Sequence, residues 1–176
     1  MAGSLIKITE TEITSSTASV TLTGIDSTYD VYQLVINDCF PVNDNAIGEL
    51  RVTKSGTTQS DANYDYAFKV LRSDLAFNNL TNTNGTRWDY VGGWSARNVT
   101  SEAGASSNAV VYLFNFPNSS EYSFMTNETV NKYVNGVLGP TGGGVHTVAS
   151  ASDGVNFQWN NGNIDSGKFV LYGLKK

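Results

Sequence analysis

The stretch Ala109-Val-Val-Tyr-Leu-Phe-Asn-Phe116 carries the strongest β-strand signal in this chain of 176 residues. β-Branched and aromatic residues suit the pleated surface of a sheet better than they suit a helix. Pro117-Asn-Ser-Ser120 follows at once, and turn-forming residues of this kind end a strand. We therefore predict a strand over 109–116 and take it as the starting point for the rest of the fold.

Apolar residues elsewhere in the chain recur mainly at a period of two, which is the period of a strand. Tyr29 to Phe40 is long and rich in Val, Ile, Leu and Tyr, a pattern typical of a central strand that is buried on both sides. Tyr64 to Leu71 alternates cleanly between apolar and polar residues. Further strands are predicted at Leu5 to Ile13 (with Ile6 and Ile8 pointing inward), Val20 to Leu22, Leu50 to Lys54, Tyr122 to Val130, Val145 to Ala149, Val155 to Trp159 and Lys168 to Leu174.

Three polar or glycine-rich segments are predicted to lie outside the strands. Asn78 to Thr86 is polar, and Gly136 to Gly144 is rich in glycine, so both are expected to be loops. Asn160-Asn-Gly-Asn163 is expected to be a hairpin turn, because an Asn-Gly pair tolerates positive φ at both central positions.

These segments together predict an all-β, antiparallel two-sheet β-sandwich, jelly-roll-like, with about 8–10 strands. No linker or internal repeat divides the chain, so residues 1–176 are expected to form a single domain. Two interpretations of residues 1–13 remain open. They are either the first strand of the protein's own sheet or an N-terminal arm that adds a strand to a neighbouring molecule.

The charge of the chain restricts its partners. Charged residues make up 15% of the sequence, and the net charge is −5. Proteins that bind nucleic acids or anionic membranes need a basic surface. We therefore expect neither a nucleic acid nor a membrane as a partner.

The chain has one cysteine, Cys39, so it cannot form an intrachain disulfide. This residue lies in an apolar run, where a small buried side chain is expected rather than a nucleophile. The N-terminal residues lack the basic and apolar segments of a signal peptide. No apolar run approaches the roughly 20 residues that a membrane-spanning helix needs. These observations predict a protein that is made and folded in a reducing cytoplasm.

Residues that could carry chemistry are few. The single histidine, His146, is not accompanied by a Gly-x-Ser-x-Gly motif, and one His with one Cys cannot form a structural zinc site. A glycosidase needs two carboxyl groups at a fixed separation. Candidate carboxylates occur at Asp61, Asp65, Asp89 and Glu102, but their usual place is a solvated face. We predict no catalytic residues, no metal and no cofactor, and hence no enzymatic activity.

Trp88, Tyr90 and Trp94 alternate around glycines in a segment that is either a short strand or a loop. Large aromatic rings with a polar group anchor protein interfaces and stack on sugars. They also fill cores. The three residues are therefore candidates for an interface or a glycan-binding site, with core packing as the alternative.

Three stretches carry a resemblance to a known family: Ser27 to Asp38 followed by Leu50-Arg-Val, then Asn63-Tyr-Asp-Tyr-Ala67, and finally Phe157 to Leu174. The chain resembles the β-sandwich virion proteins of tailed bacteriophages, especially those of marine and cyanobacterial hosts. Members of that family end in a Gly-x-Phe-x-Leu-Tyr-Gly strand. The matching positions are Gly167, Phe169, Leu171, Tyr172 and Gly173.

The resemblance implies a structural protein on the exterior of the virion, made in the cytoplasm of the bacterial host, with no catalytic or cofactor residues. A tail fibre carries a stalk of repeats or heptads, which are absent here, so a capsid decoration or cement protein is expected. Its implied partners are further copies of itself, in a homo-oligomer such as a trimer, and other virion proteins such as the major capsid protein. The alternative is a tail-fibre or fibre-tip module that recognises the host by binding surface glycans.

Overall fold

The computed structural model of the protein describes residues 4–74, 76–91, 99–133 and 135–174, with the side chains of residues 90 and 91 left out. The described residues form two antiparallel sheets and no helix, so the predicted all-β sandwich is confirmed. The jelly-roll part of the prediction is not confirmed, because a jelly roll divides eight strands into two Greek keys, whereas one sheet alone contains eight strands here.

The described residues contain thirteen strands, more than the predicted eight to ten. In chain order they are β1 (Leu5–Ile13), β2 (Ser19–Thr23), β3 (Val31–Pro41), β4 (Gly48–Lys54), β5 (Thr57–Thr58), β6 (Tyr64–Arg72), β7 (Asn78–Gly85), β8 (Trp88–Val91), β9 (Ser107–Phe114), β10 (Ser123–Tyr133), β11 (Gly136–His146), β12 (Gly154–Trp159) and β13 (Ile164–Leu174). The large sheet has the order β1-β13-β3-β9-β10-β11-β6-β7, and the small sheet has the order β2-β12-β4-β5, with β8 also paired to β4.

The core lies between the two sheets and is built by alternation along the strands. In β6, Tyr64, Tyr66, Phe68 and Val70 are all buried, as the sequence predicts. Cys39 is also buried, and burial raises the pKa of its thiol. Other fully buried side chains in the same cluster are Tyr32, Leu34, Ile36, Leu50, Trp88, Val111, Leu113, Phe157, Phe169 and Leu171.

Two segments that the sequence analysis assigns to loops are strands. Asn78–Gly85 is the edge strand β7, which pairs with β6, and a polar composition is common at an edge because it discourages pairing with other molecules. Gly136–His146 is β11, which lies between β10 and β6 and pairs with both. Its glycines fit where neighbouring backbone leaves no room for a side chain: a Cβ on Gly142 would lie 2.3 Å from the carbonyl oxygen of Ala67.

Other local predictions need correction as well. Asn160–Asn163 is a turn but not a hairpin, because β12 and β13 belong to different sheets. The predicted strand from Val145 to Ala149 is not a separate strand. Its first two residues are the end of β11, which ends at His146.

Residues 5–13 pair with β13 of the same chain, so β1 is the first strand of its own sheet. Ile8 packs against the core as predicted. Ile6 does not, since it is 38% exposed near the beginning of this edge strand.

Candidate functional site

Trp88, the first of the three candidate aromatic residues, belongs to the core. It is fully buried, meets the ring of Tyr64 edge-to-face at 5.1 Å, and its Nε1 donates a hydrogen bond to the carbonyl oxygen of Val145 at 3.3 Å. A side chain in this position cannot stack on a sugar. The side chain of Tyr90 and all of Trp94 lie outside the described residues, so their role at an interface or glycan site stays a prediction.

His146 is buried and packs on the ring of Tyr64, with ring centres 4.7 Å apart. Among the described residues its Nδ1 has no hydrogen-bond partner. Ser123 lies opposite His146 in the strand register, but its hydroxyl pairs with that of Ser152 at 3.4 Å. This geometry does not resemble a catalytic triad, in which the histidine joins the serine to a carboxylate.

The buried imidazole makes stability depend on pH. Burial lowers the pKa of His146 from 6.5 to about 4, so between these values the unfolded chain holds the proton more tightly than the folded chain does. Stability is therefore lost as the pH falls through this window. We expect the free energy of unfolding to fall by about 2 kcal/mol between pH 7 and pH 5, as measured by urea unfolding.

The matched control is His146→Gln, which cannot titrate and should show little change over the same interval. Carboxylates with lowered pKa values, such as Asp26, Asp44 and Asp74, lose their contribution mainly at lower pH. An equal pH dependence in both proteins would show that other groups are responsible.

The sequence analysis missed a largely buried network of charges that joins β4, β12 and the beginning of β8; its most exposed member is Arg87, with 33% of the side chain exposed. The Glu49 side chain is 4% exposed, and its two oxygens contact Arg51 Nη2 at 3.1 Å and Arg87 Nε at 2.8 Å. Gln158 donates a further hydrogen bond to Glu49 at 2.8 Å. The only sequence signal is the alternation Glu-x-Arg at 49–51 and Arg-x-Asp at 87–89, which does not reveal that the two segments are neighbours.

Asp89 completes this network and connects the two sheets. Its Oδ1 lies 2.7 Å from Arg87 Nε, and its Oδ2 accepts a hydrogen bond from the Tyr66 hydroxyl, which comes from the large sheet, at 2.9 Å. Asp65 caps a different segment by accepting the backbone N–H of Asn84 at 2.7 Å. Asp89 and Asp65 therefore make structural contacts within the fold. No group of three or more potential metal ligands is found among the described residues.

The outer face of the large sheet is mostly apolar at the middle of three adjacent strands. Val170, Val35 and Val110 form one row across β13, β3 and β9. We call this surface the valine patch; its members are Val31, Val35, Val110, Tyr112, Phe114, Val170 and Tyr172. Val170 is only 5% exposed, and the buried polar side chain of Gln33 lies within the patch, between Tyr172 and Tyr112. Tyr112 is 37% exposed, and Phe124 and Val130 on the neighbouring strand β10 are 42% and 52% exposed.

The outer face of β6 is different, although β6 belongs to the same sheet. Of its outward residues, Asp65, Ala67 and Lys69 are small or charged, as expected for a face in contact with water, and Leu71 is the one large apolar residue, 42% exposed. The sequence predicts that β3 is buried on both sides. Its inner side is fully buried, whereas on its outer side Gln33 is buried and Val31 and Val35 are only half-buried. The outer side of β3 therefore has the apolar composition of a covered surface but is only partly covered by the described residues.

A shallow groove of about 480 Å³ lies beside this patch, over β10, β11, β6 and β7. Gly143 and Ala67 form its floor, because neither has a side chain large enough to fill the space between Phe124 and β7. The lining also includes Asp65, Asn82, Thr83 and Thr126. The groove thus combines one exposed aromatic ring with a few polar groups.

Comparison with protein-family models, curated proteins and solved structures finds no match to this chain. Within the described ranges, no helix is long and apolar enough to cross a membrane.

Proposed function

We propose that this protein is a non-enzymatic structural component on the exterior of a tailed-phage virion, acting as a capsid decoration or cement protein. The observation that carries the proposal is the valine patch, a mostly apolar sheet face whose members, apart from buried Val170, are half-buried or exposed in the single chain. Large apolar patches on soluble proteins mark sites of interaction. The family resemblance of the sequence supplies the virion as the setting.

A non-enzymatic role is supported by the way the candidate reactive groups are used. His146 and Cys39 are buried in the core, and Asp89 is occupied by Arg87 and Tyr66. A decoration protein needs none of these groups for chemistry. It acts by burying surface at the junctions between shell subunits, and this stabilises the assembled state by mass action.

The test is the heat stability of the particle. Particles stripped of this protein should release their packaged DNA at a lower temperature than complete particles, and adding back the purified protein should restore the original temperature. An unchanged release temperature after stripping would contradict the cementing role. The number of copies per particle is a second measurement: hundreds are expected for a capsid lattice, and a few to a few dozen for a tail appendage.

The groove beside Phe124 favours the alternative function, a fibre tip that binds host surface glycans. Aromatic rings stack on the apolar faces of sugars, and Asp65, Asn82 and Thr83 could bond to sugar hydroxyls. Selective binding on a glycan array that is lost in Phe124→Ala would promote this alternative over the capsid role.

A further inference from the structure

We infer that Asn135 is a site of spontaneous deamidation, and that the fold selects it over the two other Asn-Gly pairs of the chain. Asparagine is a thermolabile residue, and a glycine after it speeds the reaction because glycine lets the backbone bend toward the side chain. The three pairs are Asn84-Gly85, Asn135-Gly136 and Asn161-Gly162. Because they share the same two residue types, differences in their rates come mainly from the structure around them.

The reaction is a ring closure followed by hydrolysis. The backbone nitrogen of the glycine loses its proton to hydroxide and attacks Cγ of the asparagine. The new N–Cγ bond closes a succinimide ring, while the bond from Cγ to Nδ2 breaks and the leaving nitrogen takes a proton from water to depart as ammonia. Water then adds to one of the two ring carbonyls and opens the ring. The product is aspartate or isoaspartate, so the net change is one water consumed, one ammonia released and one negative charge gained.

Asn135 lies where this reaction meets little resistance. It is exposed and belongs to the short connection between β10 and β11, which closes at the pair Tyr133–Gly136. Among the described residues its side chain has no hydrogen-bond partner. Gly136 is at the end of the strand ladder, where local opening costs least. Lys132 Nζ bonds to the carbonyl oxygen of Tyr133 at 2.6 Å, and a positive charge at the base of the hairpin favours the anionic nitrogen that starts the reaction.

The side chain of Asn161 is held by its neighbours. Its Nδ2 donates a hydrogen bond to the carbonyl oxygen of Asp44 at 2.9 Å, and its Oδ1 accepts one from Asn43 at 3.4 Å. Asn43 also covers the glycine of this pair, since a Cβ on Gly162 would lie 2.6 Å from Nδ2 of Asn43. Both side-chain hydrogen bonds must break before Cγ of Asn161 can be attacked, so this pair reacts slowly.

At Asn84 the backbone is held instead of the side chain. The N–H of Asn84 donates a hydrogen bond to Asp65 at 2.7 Å. Gly85 is paired with Tyr64 and enclosed, since a Cβ on Gly85 would lie 2.5 Å from Nδ2 of Asn82. The negative charge of Asp65 also opposes an anionic nitrogen close by. This pair is therefore slow as well, although Asn84 is exposed.

Each deamidation leaves a lasting change in the hairpin. One negative charge is added to a chain whose net charge is −5, and isoaspartate also adds one carbon atom to the backbone of the connection. The hairpin lies beside Ser73, whose hydroxyl oxygen accepts a hydrogen bond from the backbone N–H of Val137 at 2.9 Å. A sample of the protein should therefore become more acidic with age, and its first acidic species should carry the change at residue 135.

The first experiment follows the three pairs over time in the full chain, kept folded at mildly alkaline pH. Digestion in acid, where the reaction is slow, and mass spectrometry measure the deamidated fraction at each pair. We expect Asn135 to react about 10-fold faster than Asn84 and Asn161, or more. A rate at either of these two that equals or exceeds the rate at Asn135 would overturn the inference.

The same chain unfolded in urea is the reference for the effect of the fold. There the three pairs should react at similar rates, because the hydrogen bonds that protect Asn84 and Asn161 are gone. If Asn135 kept its full lead in urea, local sequence and not the fold would select it, which would contradict the inference.

Two variants test the cause of the selection. Asn43→Ala removes a hydrogen bond of Asn161 and the cover over Gly162, so it should raise the rate at Asn161 several-fold and leave the rate at Asn135 unchanged. Asn135→Gln is the control, because glutamine would have to close a larger ring, and it should abolish the first acidic species in isoelectric focusing. Circular dichroism establishes that both variants are folded. An unchanged rate at Asn161 in folded Asn43→Ala would show that these contacts do not protect it, and none of these results depends on a role in a virion.

Discussion

Replacing Gly142 by alanine is expected to lower the free energy of unfolding by about 3 kcal/mol or more. Gly142 lies in β11 between β10 and β6, and a Cβ there would lie 2.3 Å from the carbonyl oxygen of Ala67 and 2.7 Å from the Cα of Phe68. Both atoms are backbone, so the clash cannot be relieved by rotating a side chain. The strands must move apart, which also disturbs the hydrogen bonds between them.

Gly143→Ala is the matched control, because it makes the same change one residue further along the same strand. Its Cβ would point to the outer face, 3.1 Å from the carbonyl oxygen of Met125 and 3.7 Å from the methyl group of Thr126. We expect this variant to stay within about 1 kcal/mol of wild type. Urea unfolding of both variants measures the difference, and equal effects would contradict the register of β11.

These glycines also explain why sequence analysis misassigned this segment. Consecutive glycines indicate conformational freedom, and local sequence offers no reason to place them in a strand. The reason is non-local: β11 is held by β10 on one side and β6 on the other, and the close approach of their backbones excludes side chains. The strand predicted at Tyr64–Leu71 is confirmed, because its alternation of apolar and polar residues matches the alternation of buried and outward side chains in β6.

The candidate site could be predicted only in part. The composition of Tyr29 to Phe40 predicts a strand covered on both sides, and the structure confirms this for the inner side. Which residues lie beside β3 on the outer face depends on sheet order, because Val35 meets Val110 and Val170 only through pairing with β9 and β13. For Trp88 the sequence left both core packing and a binding role open. Only the contact with Tyr64, which is distant in sequence, assigns its ring to the core.

Removing the carboxylate of Glu49 is expected to cost about 3–5 kcal/mol, because it leaves the buried guanidinium of Arg51 without a charged partner, whereas Arg87 keeps Asp89. Glu49 is 3% exposed and contacts both Arg51 and Arg87. In Glu49→Ala the Arg51 guanidinium keeps only its hydrogen bond to the carbonyl oxygen of Thr86 among these contacts. Thermal or urea unfolding should show this as one of the least stable single variants of the protein.

Glu10→Ala is the control, since Glu10 also contacts two cations, Lys7 at 3.2 Å and Lys168 at 2.9 Å, but on the surface. Exposed ion pairs contribute at most about 1 kcal/mol, so the contrast between the two variants isolates the effect of burial. An equally small loss of stability in both variants would contradict the burial of Glu49, because it would mean that water reaches this ion pair.

The double variant Glu49→Ala/Arg87→Ala tests whether the network acts as a unit. Arg87 Nε lies between Glu49 and Asp89, at 2.8 Å and 2.7 Å. Removing Arg87 alone therefore takes a positive partner away from two carboxylates. Removing both partners takes away a positive and a negative charge together, and the loss in stability should be smaller than the sum of the two single losses. Additive losses would mean that the charges contribute independently, and the connection from β4 through β8 to Tyr66 would then not be a cooperative link between the sheets.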